Sequence, residues 1–212
     1  LDLVYGEAGE TPVSDADLTS HLENEMVELA YYTIPLYNTS TYAFADDDQK
    51  AEMLSLAQAA VDGYNSDIPA DANSQFTTFN TAASNALSGI YAVLDSTVPS
   101  DSTTSLQTEL LSSSTIDSAF TIDGSADTIR GLSYGEAAAV QYSSLSMMMA
   151  VRLDPLAANT LSTVRAQVLS DMKSDELQDA LAAYGASMEH SLDSSAMGKL
   201  PAKKIVVNSS NS

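Results

Sequence analysis

The chain has 212 residues, with 29 acids against 8 bases, and a net charge of −21. Its hydrophobic content of 44% is sufficient for a globular core, so the chain is not a disordered acidic tail. The negative charge repels phosphate backbones and anionic lipids, and no apolar run reaches the roughly 18 residues of a membrane span. We therefore expect neither a nucleic acid partner nor membrane insertion. The absence of cysteine excludes disulfides and thiolate chemistry.

The charge is concentrated in the first part of the chain. Residues 1–129 hold 21 acids and a single base, Lys50, whereas residues 130–212 hold 8 acids and 7 bases. Three explanations stay open: adaptation to concentrated salt, binding of a divalent cation, and a basic partner such as the more basic end of a neighbouring copy. We expect an extracellular, cell-surface or virion location, with the cytoplasm of a salt-adapted organism as the alternative.

The predicted elements are mostly helices. Residues 1–12 form an extended arm, and the apolar spacing from Leu18 to Leu29 predicts a first helix that ends near Pro35. Acidic residues 46–48 favour the start of a second helix. Further helices are predicted over about 73–94, 106–111, 133–153, 157–172 and 175–192, with a short strand at 120–122. We expect one acidic helical domain, 1–212, that is mainly α: a helical bundle with short terminal β-strands in the arms 1–12 and 198–212.

Two segments carry a family resemblance. Residues 28–37, Glu-Leu-Ala-Tyr-Tyr-Thr-Ile-Pro-Leu-Tyr, and residues 52–57, Glu-Met-Leu-Ser-Leu-Ala, resemble ferritin-like proteins of the iminophenyl-pyruvate dimer synthase type. The resemblance covers about residues 18–63 and implies a four-helix bundle with a metal site between helices, to which Glu28 and Glu52 would contribute. Ser55 stands where the family has the histidine ligand, so a degenerate ferritin-like bundle without metal is also implied.

Other closely spaced polar residues are candidate cation ligands. His21 and Glu25 lie four residues apart and Glu28 lies three further on, so one helix face would bring them to a single metal ion; the alternative is a solvated His–Glu pair. Asp123 and Asp127 flank a glycine turn, as the oxygen ligands of a calcium loop do, or they serve as turn and capping residues. We expect no cofactor, with a divalent cation, calcium or iron, as the alternative.

Two further groups suggest contact surfaces. The adjacent residues Met147, Met148 and Met149 suit an interface or the interior of a central helix. Tyr31, Tyr32, Tyr37 and Tyr42 form the edge of the core or a binding surface. In the C-terminal arm, the basic residues and the β-branched run after them predict a strand that meets the acidic region of a neighbour. The residues of this arm are Lys199, Lys203, Lys204, Ile205, Val206 and Val207.

The sequence contains no evident catalytic constellation. It has two histidines, no Gly-x-Ser-x-Gly motif and no glycine-rich phosphate loop. We therefore predict a non-catalytic structural or interaction protein of a salt-exposed assembly, as a homo-oligomer or with partner proteins. A ferritin-like metalloprotein or metal-dependent oxidase is the first alternative, and a module that binds a small hydrophobic ligand is the second.

Overall fold

The computed structural model describes residues 13–99, 105–158 and 160–187. In chain order its elements are α1 (Asp15–Glu25), β1 (Met26–Pro35), α2 (Asp47–Asn65), α3 (Ala72–Ala92), β2 (Gln107–Ser112), α4 (Ser113–Ala119), α5 (Ser125–Arg130), β3 (Ala137–Gln141), β4 (Ser146–Leu153), α6 (Pro155–Ala158), α7 (Leu161–Met172) and α8 (Ser174–Ser187). The two predicted arms lie outside the described residues, so their strands stay predictions.

Four strands form one antiparallel sheet in the order β2-β1-β4-β3. The long strand β1 lies in the middle and pairs with β4 from Glu28, opposite Leu153, to Pro35, opposite Ser146. On its other side β1 pairs with β2, with Met26 opposite Ser112. The expected mainly α helical bundle, and with it an all-helical class, is therefore wrong: the described residues form a mixed fold of helices and an antiparallel sheet.

Helices cover both faces of this sheet. Ala30, Tyr32 and Ile34 of β1 share one apolar core with α2 and α3. Val27 and Leu29 share another with α4, α5 and Met148 of β4. Successive side chains of a strand point to opposite faces, so both sets of β1 residues are buried at once. The sheet is thus the middle of three layers, and β1 needs no polar face.

Three segments that were expected to be helices are strands. The first predicted helix ends at Glu25 and not near Pro35, and residues 26–35 form β1. The long helix predicted over 133–153 is replaced by the hairpin of β3 and β4, and the short helix predicted over 106–111 is replaced by β2. Alanine and methionine have high helix propensity, but residues 137–140 and 147–151 are buried on both faces of a sheet. The strand predicted at 120–122 is also wrong, since these residues connect α4 and α5.

The hairpin of α2 and α3 confirms the second and third predicted helices. Asp46 caps α2 by accepting a hydrogen bond from the Gln49 amide at 2.8 Å, and the Gln49 side chain accepts one from the Asp46 amide at 3.0 Å. This reciprocal pair satisfies two backbone donors at the start of the helix. The apolar face of α2 then lies on the sheet through Met53, Ala57 and Val61.

The chain divides into two compact units. Val13–Met172 form one; Leu1–Pro12 and Lys173–Ser212 form the other, of which the structure describes residues 173–187. Within the first unit, α1 packs on α7 in a small separate core. Within the second, the Lys173 ammonium pairs with Glu176 at 2.7 Å beside α8. Among the described helices, none is both long and apolar enough to cross a bilayer.

Candidate interaction site

Glu28 and Glu52 do not meet. Glu28 lies near the start of β1, is only 4% exposed, and lines a cavity of about 150 Å³ together with Phe76, Thr108 and Asp154. Glu52 is exposed on α2, which begins beyond the opposite end of β1. The seven residue-to-residue steps of β1 from Glu28 to Pro35 alone span roughly 23 Å. Within the described parts of the chain, no three His, Asp or Glu side chains are grouped to hold a metal ion.

His21 has a different partner from the one expected. Helix α1 ends at Glu25, so Glu28 lies on a strand and not on the helix face of His21 and Glu25. The His21 Nε2 atom lies 2.8 Å from a carboxylate oxygen of Asp171 on α7. This contact joins two helices that are 150 residues apart in the chain, which no local spacing indicates. His21 and Glu25 line an open groove beside Met172.

Asp123 lies in the turn before α5, and Asp127 lies within that helix. Gly124 takes a left-handed conformation there, with φ of 75°. The Asp127 carboxylate accepts a hydrogen bond from Arg130 at 2.8 Å, and Arg130 also pairs with Asp117. The arginine therefore supplies the positive charge next to Asp127, in an arrangement that stabilises the helix.

The three methionines are interior residues of β4. Met147 and Met149 face α2 and α3, whereas Met148 faces α4 and α5, and each is at most 4% exposed. They fill the sheet core on both sides within the unit Val13–Met172. The basic residues and the β-branched run of the C-terminal arm lie outside the described residues.

The most prominent exposed apolar feature is the loop that follows β1. We call residues 37–44 the aromatic loop. Tyr42 and Phe44 are 73% and 69% exposed, the highest values among the described large hydrophobic side chains. The Tyr37 ring stacks on Tyr42, with centroids 6.3 Å apart, and meets Phe44 edge-on at 6.2 Å. The loop thus holds three rings together at the surface.

A buried asparagine fixes the shape of this loop. The Asn38 side chain donates to the carbonyl of Leu94 at 2.8 Å and accepts from the amides of Ser40 and Thr41 at 2.9 and 3.0 Å. The Asn38 backbone also donates to Ala43 and accepts from Tyr42. These bonds tie the loop to the end of α3 and hold the rings in one arrangement.

Backbone strain is concentrated at the same place. Tyr42 and Asp95 have φ of 58° and 50°, and no other non-glycine residue described has a positive φ. Asp95 lines a groove of about 370 Å³ with Thr41, Phe44 and Gln49. A left-handed conformation costs a residue with a Cβ about 1–2 kcal/mol, and such strain is typical of binding sites. Sequence reasoning indicated the tyrosines, but neither the strain nor the role of Asn38.

The sheet offers a second surface at its edge. On β3, the Asn65 side chain donates to the carbonyl of Ala137 at 2.8 Å and accepts from its amide at 3.0 Å. On β2, Gln167 donates to the carbonyl of Leu110 at 2.7 Å, while Gln107, Thr108 and Glu109 are exposed. In the part of the chain that the structure describes, the backbone of Ala137 on β3 is therefore bonded by a side-chain amide, whereas the first three residues of β2 are exposed.

Comparison with known proteins does not assign a function to these surfaces. No protein-family model, no curated protein and no solved structure matches this chain. The aromatic loop and the β2 edge are therefore the candidate contact surfaces of the described residues.

Proposed function

We propose that this chain is a non-catalytic structural protein that contacts a second copy of itself in a salt-exposed assembly. The observation that supports this function most strongly is the aromatic loop. It exposes Tyr42 and Phe44, although burial of one such ring is worth about 2–3 kcal/mol. It also keeps Tyr42 in a strained conformation. A large exposed apolar group on a rigid support is typical of a protein contact.

Charge favours the more basic part of the neighbouring copy as the occupant of this loop. Asp95 lines the groove beside Phe44, and Asp47 and Asp48 are exposed at the nearby start of α2. Seven of the eight bases of the chain lie after residue 129. A lysine or arginine side chain can lie on an aromatic face while its charge meets a carboxylate. Such a contact joins the acidic part of one copy to the near-neutral part of the next.

The aromatic part of this contact is suited to concentrated salt, which screens exposed charges and removes much of the self-repulsion of a chain with a net charge of −21. Burial of aromatic surface does not depend on charge and is unaffected or strengthened by excluded salts. We therefore propose an assembly outside the cell, on a cell surface or in a virion.

The test is the oligomeric state of the full chain, measured by sedimentation velocity and light scattering in low and high salt, with calcium and with a chelator. We expect the wild type to assemble in high salt and Tyr42→Ala/Phe44→Ala to remain a monomer. Tyr184→Ala is the matched control, because Tyr184 on α8 is 67% exposed. A wild-type chain that stays monomeric in every condition, or a double variant that assembles normally, would refute the proposal.

Tyr42→Gly separates a contact role from a structural one. Glycine accepts a positive φ without strain, so the free energy of unfolding of this variant should be at least that of the wild type. It nevertheless lacks the ring. We expect reduced assembly with no decrease in the free energy of unfolding. If the Tyr42 ring served only the fold, the variant would instead lose stability and still assemble.

A further inference from the structure

The exposed half of β2 has backbone groups that can pair with another strand. The Leu110 carbonyl accepts a hydrogen bond from Gln167 of α7, so the backbone groups of Leu110 point away from β1. Backbone directions alternate along a strand, and those of Thr108 therefore also point outward. Thr108 is exposed, and so are Gln107 and Glu109 on either side of it. Thr108 thus presents one N–H and one C=O at the edge of the sheet.

These three residues are complementary to a second copy of themselves. In an antiparallel pair centred on Thr108, the two Thr108 residues lie opposite each other, and Gln107 of each copy lies opposite Glu109 of the other. The Thr108 residues then exchange both N–H···O=C bonds, and their side chains form a favourable Thr–Thr pair. Each Gln107 amide can donate to the facing Glu109 carboxylate, so no charge lies directly opposite a like charge.

We propose that β2 pairs with β2 of a second copy across a twofold axis at Thr108, which joins the two sheets edge to edge. Both copies use the same surface, so the contact is complete with two copies and adds no third copy at β2. The contact is short, because Gln167 already occupies the Leu110 carbonyl. At the other edge of the sheet, the Asn65 side chain bonds the backbone of Ala137, which makes β3 less suited to pairing.

This inference rests on the proposed function, since a contact of three residues from each copy is too small to hold two copies by itself. The aromatic loop joins one part of a copy to a different part of the next, and such a contact builds rows of copies. Each copy in a row presents its own β2 edge, so the weak contacts between two rows act together. The β2 contact therefore pairs rows that the aromatic loop has built.

Salt should strengthen this pairing. The two Glu109 residues lie diagonally across the pair on one face of the sheet, about 7–8 Å apart. The Debye length is about 8 Å at physiological ionic strength and about 3 Å at 1 M, so concentrated salt screens their repulsion. Glu109→Gln removes this repulsion and should make the pairing of rows less dependent on salt.

The first test concerns the backbone groups of Thr108. Thr108→Pro removes an N–H that points away from β1, so the fold keeps its own hydrogen bonds, and chemical denaturation verifies this. In high salt the mass of the assembly, measured by light scattering, should fall about twofold, because rows no longer pair. Thr108→Val is the matched control: it keeps the N–H and a β-branched side chain and should assemble as the wild type does. An unchanged mass for a folded Thr108→Pro would overturn the inference.

The second test determines the register with engineered cysteines, since the chain has none of its own. Under oxidising conditions in high salt, Thr108→Cys chains should form a disulfide-linked dimer, because the paired Cα atoms lie about 5.5 Å apart. Gln107→Cys chains mixed with Glu109→Cys chains should form a heterodimer, because these positions also lie opposite each other. Gln107→Cys alone is the matched control. Its cysteines lie diagonally, at or beyond the reach of about 7 Å, and should give about tenfold less dimer.

The outcomes separate this inference from the proposed function. If wild-type chains assemble and Tyr42→Ala/Phe44→Ala chains do not, but Thr108→Cys gives no more disulfide-linked dimer than Gln107→Cys, the β2 contact is wrong and the proposed function stands. If Thr108→Cys chains cross-link in this register and Tyr42→Ala/Phe44→Ala chains assemble normally, the β2 contact stands and the aromatic loop is not the contact. If chains neither assemble nor cross-link in any condition, both fail.

Discussion

The two edges of the sheet differ in how their backbone groups are satisfied. At β3, Asn65 takes both the amide and the carbonyl of Ala137, and the Tyr64 hydroxyl donates to the carbonyl of Gly135 at 2.8 Å. On the outer side of β2, the described residues make one such hydrogen bond, from the Gln167 side chain to the Leu110 carbonyl. We call β3 the closed edge, because residues of α2 bond Ala137 and Gly135 there, and β2 the open edge, because Gln107, Thr108 and Glu109 are exposed.

This difference matters because an unpaired edge accepts strands from other molecules. A sheet open at both edges can extend in either direction, which leads to uncontrolled aggregation. Because Asn65 bonds the outer backbone groups of Ala137, β3 is the less accessible of the two edges.

Among the substitutions near the closed edge, Gly135→Ala is expected to lower the free energy of unfolding most. Gly135 has φ of 83°, and a Cβ there would lie 2.6 Å from the Gln75 amide nitrogen. Strain and overpacking together should lower the free energy of unfolding by about 3 kcal/mol, measured by chemical denaturation. Gly124→Ala is the matched control, since its φ is 75° but no atom lies within 4 Å of the added Cβ. It should cost about 1 kcal/mol, and equal losses would show that the Gln75 contact is unimportant.

Asn65→Ala is expected to have the next largest effect. It leaves the amide and carbonyl of Ala137 without their side-chain partners in a half-buried place, which should cost about 2 kcal/mol. The variant should also self-associate through β3. Gln167→Ala removes the corresponding bond on β2, where the side chain is exposed, and should cost about 0.5 kcal/mol. Similar losses for both variants would remove the distinction between the edges.

The sequence indicated the α2–α3 hairpin well, because its signals are local. The Asp46 cap, the acidic first turn and an apolar stripe at helical spacing all lie within the segment itself. The strands gave no such signal. The apolar residues Leu18, Leu22, Met26 and Leu29 keep helical spacing across the boundary at Glu25, where α1 becomes β1. A strand buried on both faces lacks the alternation that distinguishes it from a helix.

The site was predictable only in part for the same reason. The cluster of tyrosines was visible in the sequence, and Tyr42 is indeed exposed. The support of the aromatic loop comes from Leu94, more than 50 residues later in the chain. The cavity at Glu28 likewise depends on pairing of β1 with β4, which brings Asp154 nearby. Such long-range contacts depend on the strand topology, which cannot be deduced when a strand is mistaken for a helix.

The smallest expected effect is on the pKa values of two tyrosines, one beside each edge of the sheet. Burial raises the pKa of Tyr64, at the closed edge, to about 12. Burial also raises the pKa of Tyr31, beside the open edge, to about 12, with added contributions from its hydrogen bond to Glu109 and from the charge of Glu109. Both phenols therefore stay neutral in the folded chain at a pH where the unfolded chain ionises. Their contribution to stability is fully present below about pH 10 and is lost as pH rises through 12.

Glu109→Gln should distinguish the two causes. It removes the negative charge next to Tyr31, so the pKa of Tyr31 should fall below about 12 but stay above the ordinary value of 10.0, because burial remains. The pKa of Tyr64 should not change, since burial alone raises it. The measurement is an ultraviolet titration of tyrosinate, with Tyr31→Phe and Tyr64→Phe to assign the two transitions. A shift of both transitions in Glu109→Gln would mean that the charge at β2 acts across the sheet, and that the edges are not electrostatically independent.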